Sequence, residues 1–322
     1  MNVKRVLDSL NLDQIRTDLA IHYHRAGPGR NPLNPLSMLK AQLAKHLLTI
    51  ISDRRLSLRL QSDHKVARAC GFRRHTPSHG LFTHFRHRLG EETYQRVFNT
   101  LTKTLIESGA LIGKVLAVDS THLKTYSGRA MDNRAGGSDP DARVGRGRRG
   151  FSLGYLSLFL VDIEGFPLGH VEAPLNVNEK QLVEALLHRV LGECIEVELL
   201  AGDSQLESEA IFMLLESLKV SHIIAWRKLK GRRNPPEVLS VKDRIDVEGP
   251  EWMRAIYKRL RAAAESFNGR AKSRLAYQRL TWQGLGNACI HVGLVLMMAY
   301  AVCIAAYGIG RPELRQSVAF FA

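Results

Sequence analysis

Apolar residues recur at helical spacing through most of the first 110 positions. Behind Pro35, LSMLKAQLAKHLLTIIS gathers them on one side of a helix, and DHKVARACG forms a second, basic helix that Gly71 ends. Ser78 is a fitting N-cap for HGLFTHFRHRLG, and EETYQRVFNTLTKTLIES reads as a further helix that stops at Gly109. No strand pattern of similar quality occurs here. Residues 1–110 are therefore predicted to be an all-α N-terminal domain.

After residue 110 the period shortens. KVLAVDSTHL (114–123) is a β-rich run, and FSLGYLSLFLVDI (151–163) with FPLGHVEAPL (166–175) forms a predicted hairpin turning at Glu164-Gly165. Asn178 caps the helix EKQLVEALLHRVL. The strand IEVELLAGD, the helix ESEAIFMLLESLK, the strand SHIIAWRK and a last helix from about Glu251 to Lys272 follow. Strands in succession and then alternating units predict an α/β second domain, residues 111–322, with helices on the faces of a mixed sheet. Two stretches lack any core-forming period. Residues 127–150, with six Arg and three Asp among many Gly, are expected to be a mobile loop between the first two strands, and 229–250 a second basic connector. Ala288 to Gly310 is 23 residues without a Lys, Arg, Asp or Glu, long enough to span a bilayer. Its isolation, and His291 near its start, favour a buried core helix instead.

Composition changes the picture through its charge. The 322 residues carry 46 Lys+Arg against 31 Asp+Glu, a net +15 with a pI near 9.9. The excess is segregated: residues 1–110 hold 18 basic and 8 acidic side chains, 111–225 hold 11 and 16, and 226–282 hold 15 and 6. An acidic middle between two basic regions fits acids that hold cations beside Lys and Arg that neutralise a polyanion. A solvated basic surface accounts for the total but not for this segregation. Four scattered cysteines without a C-x-x-C pair exclude a disulfide scaffold and a zinc ribbon. The N-terminal residues show no apolar h-region with a cleavage site, so a cytoplasmic location is expected.

Three acids stand out by position. Asp119 interrupts the apolar strand LAVD, Asp203 ends ELLAGD, and Glu265 lies on the last long helix. Strand ends in sheets with flanking helices are where ligands and metals are commonly held, although an Asp after a strand also serves as a turn or helix cap. On a wheel of 100° per residue with Arg261 at 0°, Glu265 falls at about 40°, Arg254 and Lys272 at about 20°, Lys258 at about 60° and Asn268 at about −20°. One acid thus lies in a stripe of cations. A solvated polar face carries such a stripe too, and Asn268-Gly269 is a candidate break point. The same alignment is what a DNA-cutting site needs.

AVDSTHLK with Asp119, LAGDSQLES with Asp203, and R-x3-E-x6-K made by Arg261, Glu265 and Lys272 together resemble the DDE transposases of bacterial insertion sequences. The segment from Asn34-Pro35-Leu36 through ACGFRRHTPSHGLFTHFRHRL is similar to that family's N-terminal region, so the likeness covers roughly residues 33–322. The resemblance implies a ribonuclease-H-like second domain in which Asp119, Asp203 and Glu265 are catalytic and ligate two Mg²⁺ ions, with Mn²⁺ able to substitute. It implies further that Arg254, Lys258, Arg261 and Lys272 contact DNA. The partners would be double-stranded DNA, at element ends and target, and a second protomer in a homodimer on that DNA; no membrane partner is expected. The chain departs from the family at Lys258, where a Tyr is usual and Tyr257 stands one place off, at Leu206 in place of an aromatic, and at Glu179, where an Asp is common.

Other chemistry is poorly supported. His75, His79, His84 and His87 lack the partners of a zinc motif, and the glycines of VGRGRRG lack the G-K-[ST] ending of a phosphate loop. Trp226 is a candidate for stacking on an extruded base or for a strand in the core. Two rival functions remain open on these residues: a transposase-derived DNA-binding protein that does not cut, and a metal-dependent nuclease that cuts without joining.

Overall fold

The structure is a computed structural model, and it describes residues 2–10, 12–23, 31–130, 134–147, 150–193, 195–224 and 250–322. The first helices are α1 (Asn2–Ser9), α2 (Asp13–Ala20), α3 (Pro35–Leu47), α4 (Asp53–Ser62), α5 (His64–Cys70) and α6 (His79–Glu107). The strands are β1 (Val115–Thr125), β2 (Arg143–Gly147), β3 (Gly150–Asp162), β4 (Pro167–Pro174), β5 (Leu199–Gly202), β6 (Ser221–Ile224) and β7 (Arg279–Leu280). Between and after them lie α7 (Lys180–Leu191), α8 (Glu209–Ser217), α9 (Glu251–Arg274), α10 (Leu285–Gly308) and α11 (Val318–Phe321). The chain divides into two compact units, one of residues 1–101, 123–142 and 270–322, the other of 102–122 and 143–269.

The first unit is mainly helical. α3 begins behind Asn34, whose side chain accepts from the Leu36 N–H, with Pro35 in the first turn where its missing donor costs nothing. α5 ends at Gly71 with φ 98°, and a Cβ there would meet Ser37 Oγ at 2.5 Å. α6 is two segments meeting at Gly90, whose φ of 69° and ψ of 166° are not helical. The uncharged stretch forms α10, buried along nearly all its length and packed with α1 and α3, as the core-helix reading anticipated.

A charged group is buried in this unit. Lys45 Nζ and Arg86 Nη1 donate to Asp53 at 3.2 and 2.7 Å, and Trp282 Nε1 donates to the same carboxylate at 3.1 Å. The two cations also lie 4.1 and 3.7 Å from the Trp282 ring centroid. Burial pulls the Lys45 amine down to about 8. His46 and His291 bond to the carbonyls of Leu275 and Tyr277, and burial drives His46 down to about 3 and His291 well below its ordinary value.

The second unit is built on a mixed sheet. β5 runs parallel to β1 and β6 parallel to β5, while β3 lies beside β1 and pairs antiparallel with β2 through residues 150–154 and with β4 through 155–161. Side chains alternate between faces along each strand. Leu116, Val118, Leu158 and Leu160 pack with Val183, Leu186 and Leu187 of α7 and Ile211 and Leu215 of α8. Phe159, between two of them, turns the other way to meet Phe267 of α9, ring centroids 5.4 Å apart. Helices thus cover both faces of the sheet, the ribonuclease-H-like α/β architecture that the resemblance implied.

Residues 127–150 correct the expectation of a structureless loop. Residues 143–147 form β2, Arg129 bridges Gly136, and Asp139 is fully buried, accepting from Thr125 Oγ1 and the Gly284 N–H, each at 3.0 Å. Strand pairing is a backbone property, so an Arg- and Gly-rich segment can join a sheet without the apolar alternation that announces one. The helix α9 runs through Asn268-Gly269 without breaking. The predicted strand SHIIAWRK is described only to Ile224; Trp226 and the connector to residue 249 lie outside the described residues.

Candidate active site

The sheet register sets two carboxylates level. In the parallel pair β1 and β5, Ala117 stands opposite Ala201, so two residues further on Asp119 comes level with Asp203, directly after the last residue of β5. Leu116 and Val118 face α7 and α8, which turns Asp119 toward α9. Asp203 closes a local turn, its Oδ1 accepting from the Gln205 N–H at 2.9 Å.

α9 supplies the partners of Asp119. Arg261 Nη1 donates to Oδ1 at 3.2 Å and Asn268 Nδ2 to Oδ2 at 2.6 Å, while Arg261 Nη2 donates to Glu265 Oε1 at 3.3 Å. Of the predicted helical face, Arg261 and Asn268 meet the strand. Glu265 takes a different place from the two aspartates: its side chain is 67% exposed, against 16% for Asp119, and its hydrogen bond runs to Arg261. Arg261 is itself engaged by two carboxylates. Lys258 is exposed, and Arg254 and Lys272 are half-buried on the same helix.

A fourth acid enters the site from α7. Half-buried Glu179 stands at the helix start, hydrogen-bonds to the Ser120 side chain, and interacts with Asp203, Asp119 and Arg261. Asn178 Oδ1 accepts from the Lys180 N–H at 3.1 Å, as the capping pattern predicted, and Lys180 Nζ donates to the Glu207 carbonyl in the loop after Asp203. Its sequence signal was an acid next to a helix cap, at a position where the resemblance expects Asp.

The electrostatics follow from this crowding. Burial raises the Asp119 carboxyl above its ordinary value and Asp203 adds to the rise, outweighing the Arg261 charge and the hydrogen bonds from Arg261 and Asn268. Burial likewise raises Glu179, with Asp203 and Asp119 pushing the same way against the Ser120 bond and Arg261. The Arg261 guanidinium is held above its usual value because Asp119 and Asp203 outweigh its burial. Carboxylate oxygens suit Mg²⁺ or Mn²⁺. The donor chemistry suits such an ion, but among the described residues no three His, Cys, Asp or Glu side chains are placed to hold one.

Two family models match the chain. Residues 112–301 match the family described as "Transposase DDE domain", and residues 2–88 match "Transposase domain (DUF772)". No curated protein matches the chain. Among solved structures, the piggyBac transposase in a synaptic complex with hairpin DNA is similar over 97% of this chain and 75% of that one, at 12% identity and a TM-score of 0.53. The Mos1 transposase paired-end complex with the left transposon end, at 12% identity over 78% of this chain and 82% of that one, scores 0.24. The Mos1 mariner paired-end complex with Mn, at 13% identity over 80% and 84%, scores 0.23; neither superposition bears on the fold. With the DDE match alone spanning more than half of its residues, the chain belongs to the DDE transposase family of the insertion-sequence type.

Proposed function

We propose that this transposase binds the inverted-repeat ends of an insertion sequence, cleaves DNA strands there and transfers them to a target. The observation that carries the reading is the level pair Asp119 and Asp203 with Arg261 of α9 set against it. Asp119, Asp203 and Glu265 are the residues that would hold two divalent ions, Mg²⁺ or Mn²⁺. When bound, these ions activate the attacking oxygen and stabilise the leaving oxygen at a phosphodiester.

The chain's own residues do the remainder. Asn268 fixes the Asp119 carboxylate through its 2.6 Å bond, so the ligand oxygen arrives preoriented. Arg261 holds Asp119 and Glu265 in the unliganded protein and exchanges them for DNA phosphates, a planar guanidinium suiting either partner. Arg254, Lys258 and Lys272 extend the phosphate track along α9. The exposed Arg73, Arg74, His79 and His84 of the N-terminal helical region supply a polar, basic surface for the element end. Two ends require two active sites, so the working form is a homodimer on DNA, in the cytoplasm at the nucleoid, without a membrane partner.

A strand-cleavage assay with Mg²⁺ or Mn²⁺ on the DNA flanking the gene tests the reading. Wild type should cut at defined positions, and Asp203→Asn should abolish cutting while leaving DNA affinity intact, because the basic surface is unchanged. Cutting retained in Asp203→Asn would overturn the assignment. Joined product, as opposed to nicks alone, separates strand transfer from simple nuclease action. Arg261→Ala should weaken end binding and reduce the salt slope by about 0.9 for each phosphate that the guanidinium neutralises; an unchanged slope would remove Arg261 from the DNA track.

A further inference from the structure

We propose that the ribbon formed by β2 and the first residues of β3 is a DNA-contacting element, in which Phe151 stacks on a base left unpaired at a cut end and Arg146 holds a flanking phosphate. This deepens the DNA-end reading above and rests on it. β2 and β3 pair antiparallel with Arg146 opposite Phe151, so the two side chains stand next to each other on one face. Phe151 is 67% exposed, and Arg146 is exposed as well. Gly145, Gly147, Gly150 and Ser152 flank the pair, and none of these has a side chain large enough to cover it.

The other face of the ribbon settles which way the pair points. A Cβ at Gly147 would lie 2.5 Å from the His122 ring of β1, and one at Gly145 would run into the Leu175 backbone, so the glycine face lies against the protein. Arg146 and Phe151 turn to the opposite face. Alternation along β3 gives Phe151 the side of Phe159, which meets α9, and Asp119 turns to α9 from β1. His122 is three residues from Asp119, about 10 Å along the strand, so the pair stands on the Asp119 side of the sheet and a few nucleotide steps away. A single exposed phenylalanine is ordinary on a protein surface; this one is held beside a guanidinium on the face that carries the aspartate. Bases inside a duplex are stacked on both sides and offer no face, whereas a base at a cut end has lost a neighbour. A phenyl ring in water matches that vacant base, and the guanidinium matches the phosphate next to it.

The test is fluorescence anisotropy with the full-length protein on two probes, an intact duplex from the DNA flanking the gene and the same duplex carrying a short single-stranded tail. Wild type should bind the tailed probe more tightly. Phe151→Ala should weaken binding of the tailed probe by at least about fivefold and leave the intact duplex unchanged. Phe151→Leu, which keeps an apolar side chain without a ring, should lose as much, and Phe151→Trp should keep wild-type affinity. Arg146→Ala should lower the salt slope on the tailed probe by about 0.7. Phe151 faces solvent, so its three variants should keep the wild-type circular dichroism; loss of the fold would make Phe151 a packing residue and overturn the inference. Wild-type affinity for the tailed probe in Phe151→Ala or Phe151→Leu would overturn it too and leave the DNA-end reading standing, as would an equal loss on both probes. If wild type binds neither probe, both readings fall together.

Discussion

Asp53 accepts from an ammonium, a guanidinium and an indole in a place nearly closed to water, with both cations stacked against the same Trp282 ring. Burial alone would raise its carboxyl, but Lys45 and Arg86 outweigh that and hold it below the ordinary value. Removing the anion would leave two buried cations facing each other. Asp53→Ala should therefore destabilise the protein by about 3–5 kcal/mol in urea unfolding, far more than loss of an exposed ion pair. A cost under about 1 kcal/mol would show that water or a rearranged side chain replaces Asp53. None of this network is legible in the sequence, because its members come from residues 45, 53, 86 and 282 and no local period links them. The acids of the site divide likewise. Asp119 and Asp203 break apolar strands and so announce themselves, whereas Glu179 follows a polar segment and its place depends on where α7 begins against β1.

At the scale of elements, pattern succeeds where side chains decide the structure. β1, β3 and β4 alternate or run apolar, α7 has its Asn178 cap, and the two segments of α6 are parted by Gly90, so each is readable from spacing. β2 escapes because its Arg and Gly join β3 through the backbone alone, and the two-residue β7 is too short for a period. Gly71 makes an element-level prediction. With φ at 98° and Ser37 Oγ 2.5 Å from any added Cβ, Gly71→Ala should combine left-handed strain with a clash against α3. The expected destabilisation is about 1–3 kcal/mol in thermal or urea unfolding. Gly269→Ala serves as the control: no atom lies within 4 Å of its added Cβ and it sits inside α9, so it should be neutral to stabilising.

At the scale of the whole molecule, stability should depend on pH through two histidines from distant parts of the chain. His46 on α3 has a folded pKa of about 3 and His291 on α10 lies well below 6.5, so the unfolded chain takes up protons that the native protein refuses. The stability these histidines contribute is then fully present above about pH 6.5 and falls on acidification toward pH 3, by up to about 1.4 kcal/mol per pH unit for each histidine. Urea midpoints at pH 7 and pH 5 measure the slope; His46→Gln should remove about one proton from it, and a slope unchanged by that substitution would refute the assignment. The partnership of α10 with α1 and α3 also orders events during synthesis. The apolar faces of the first helices emerge from the ribosome some 240 residues before the helix that covers them, a delay of roughly 10 to 50 s at ordinary elongation rates. Over that interval the nascent chain exposes an unfinished core, which stays open until α10 has been made.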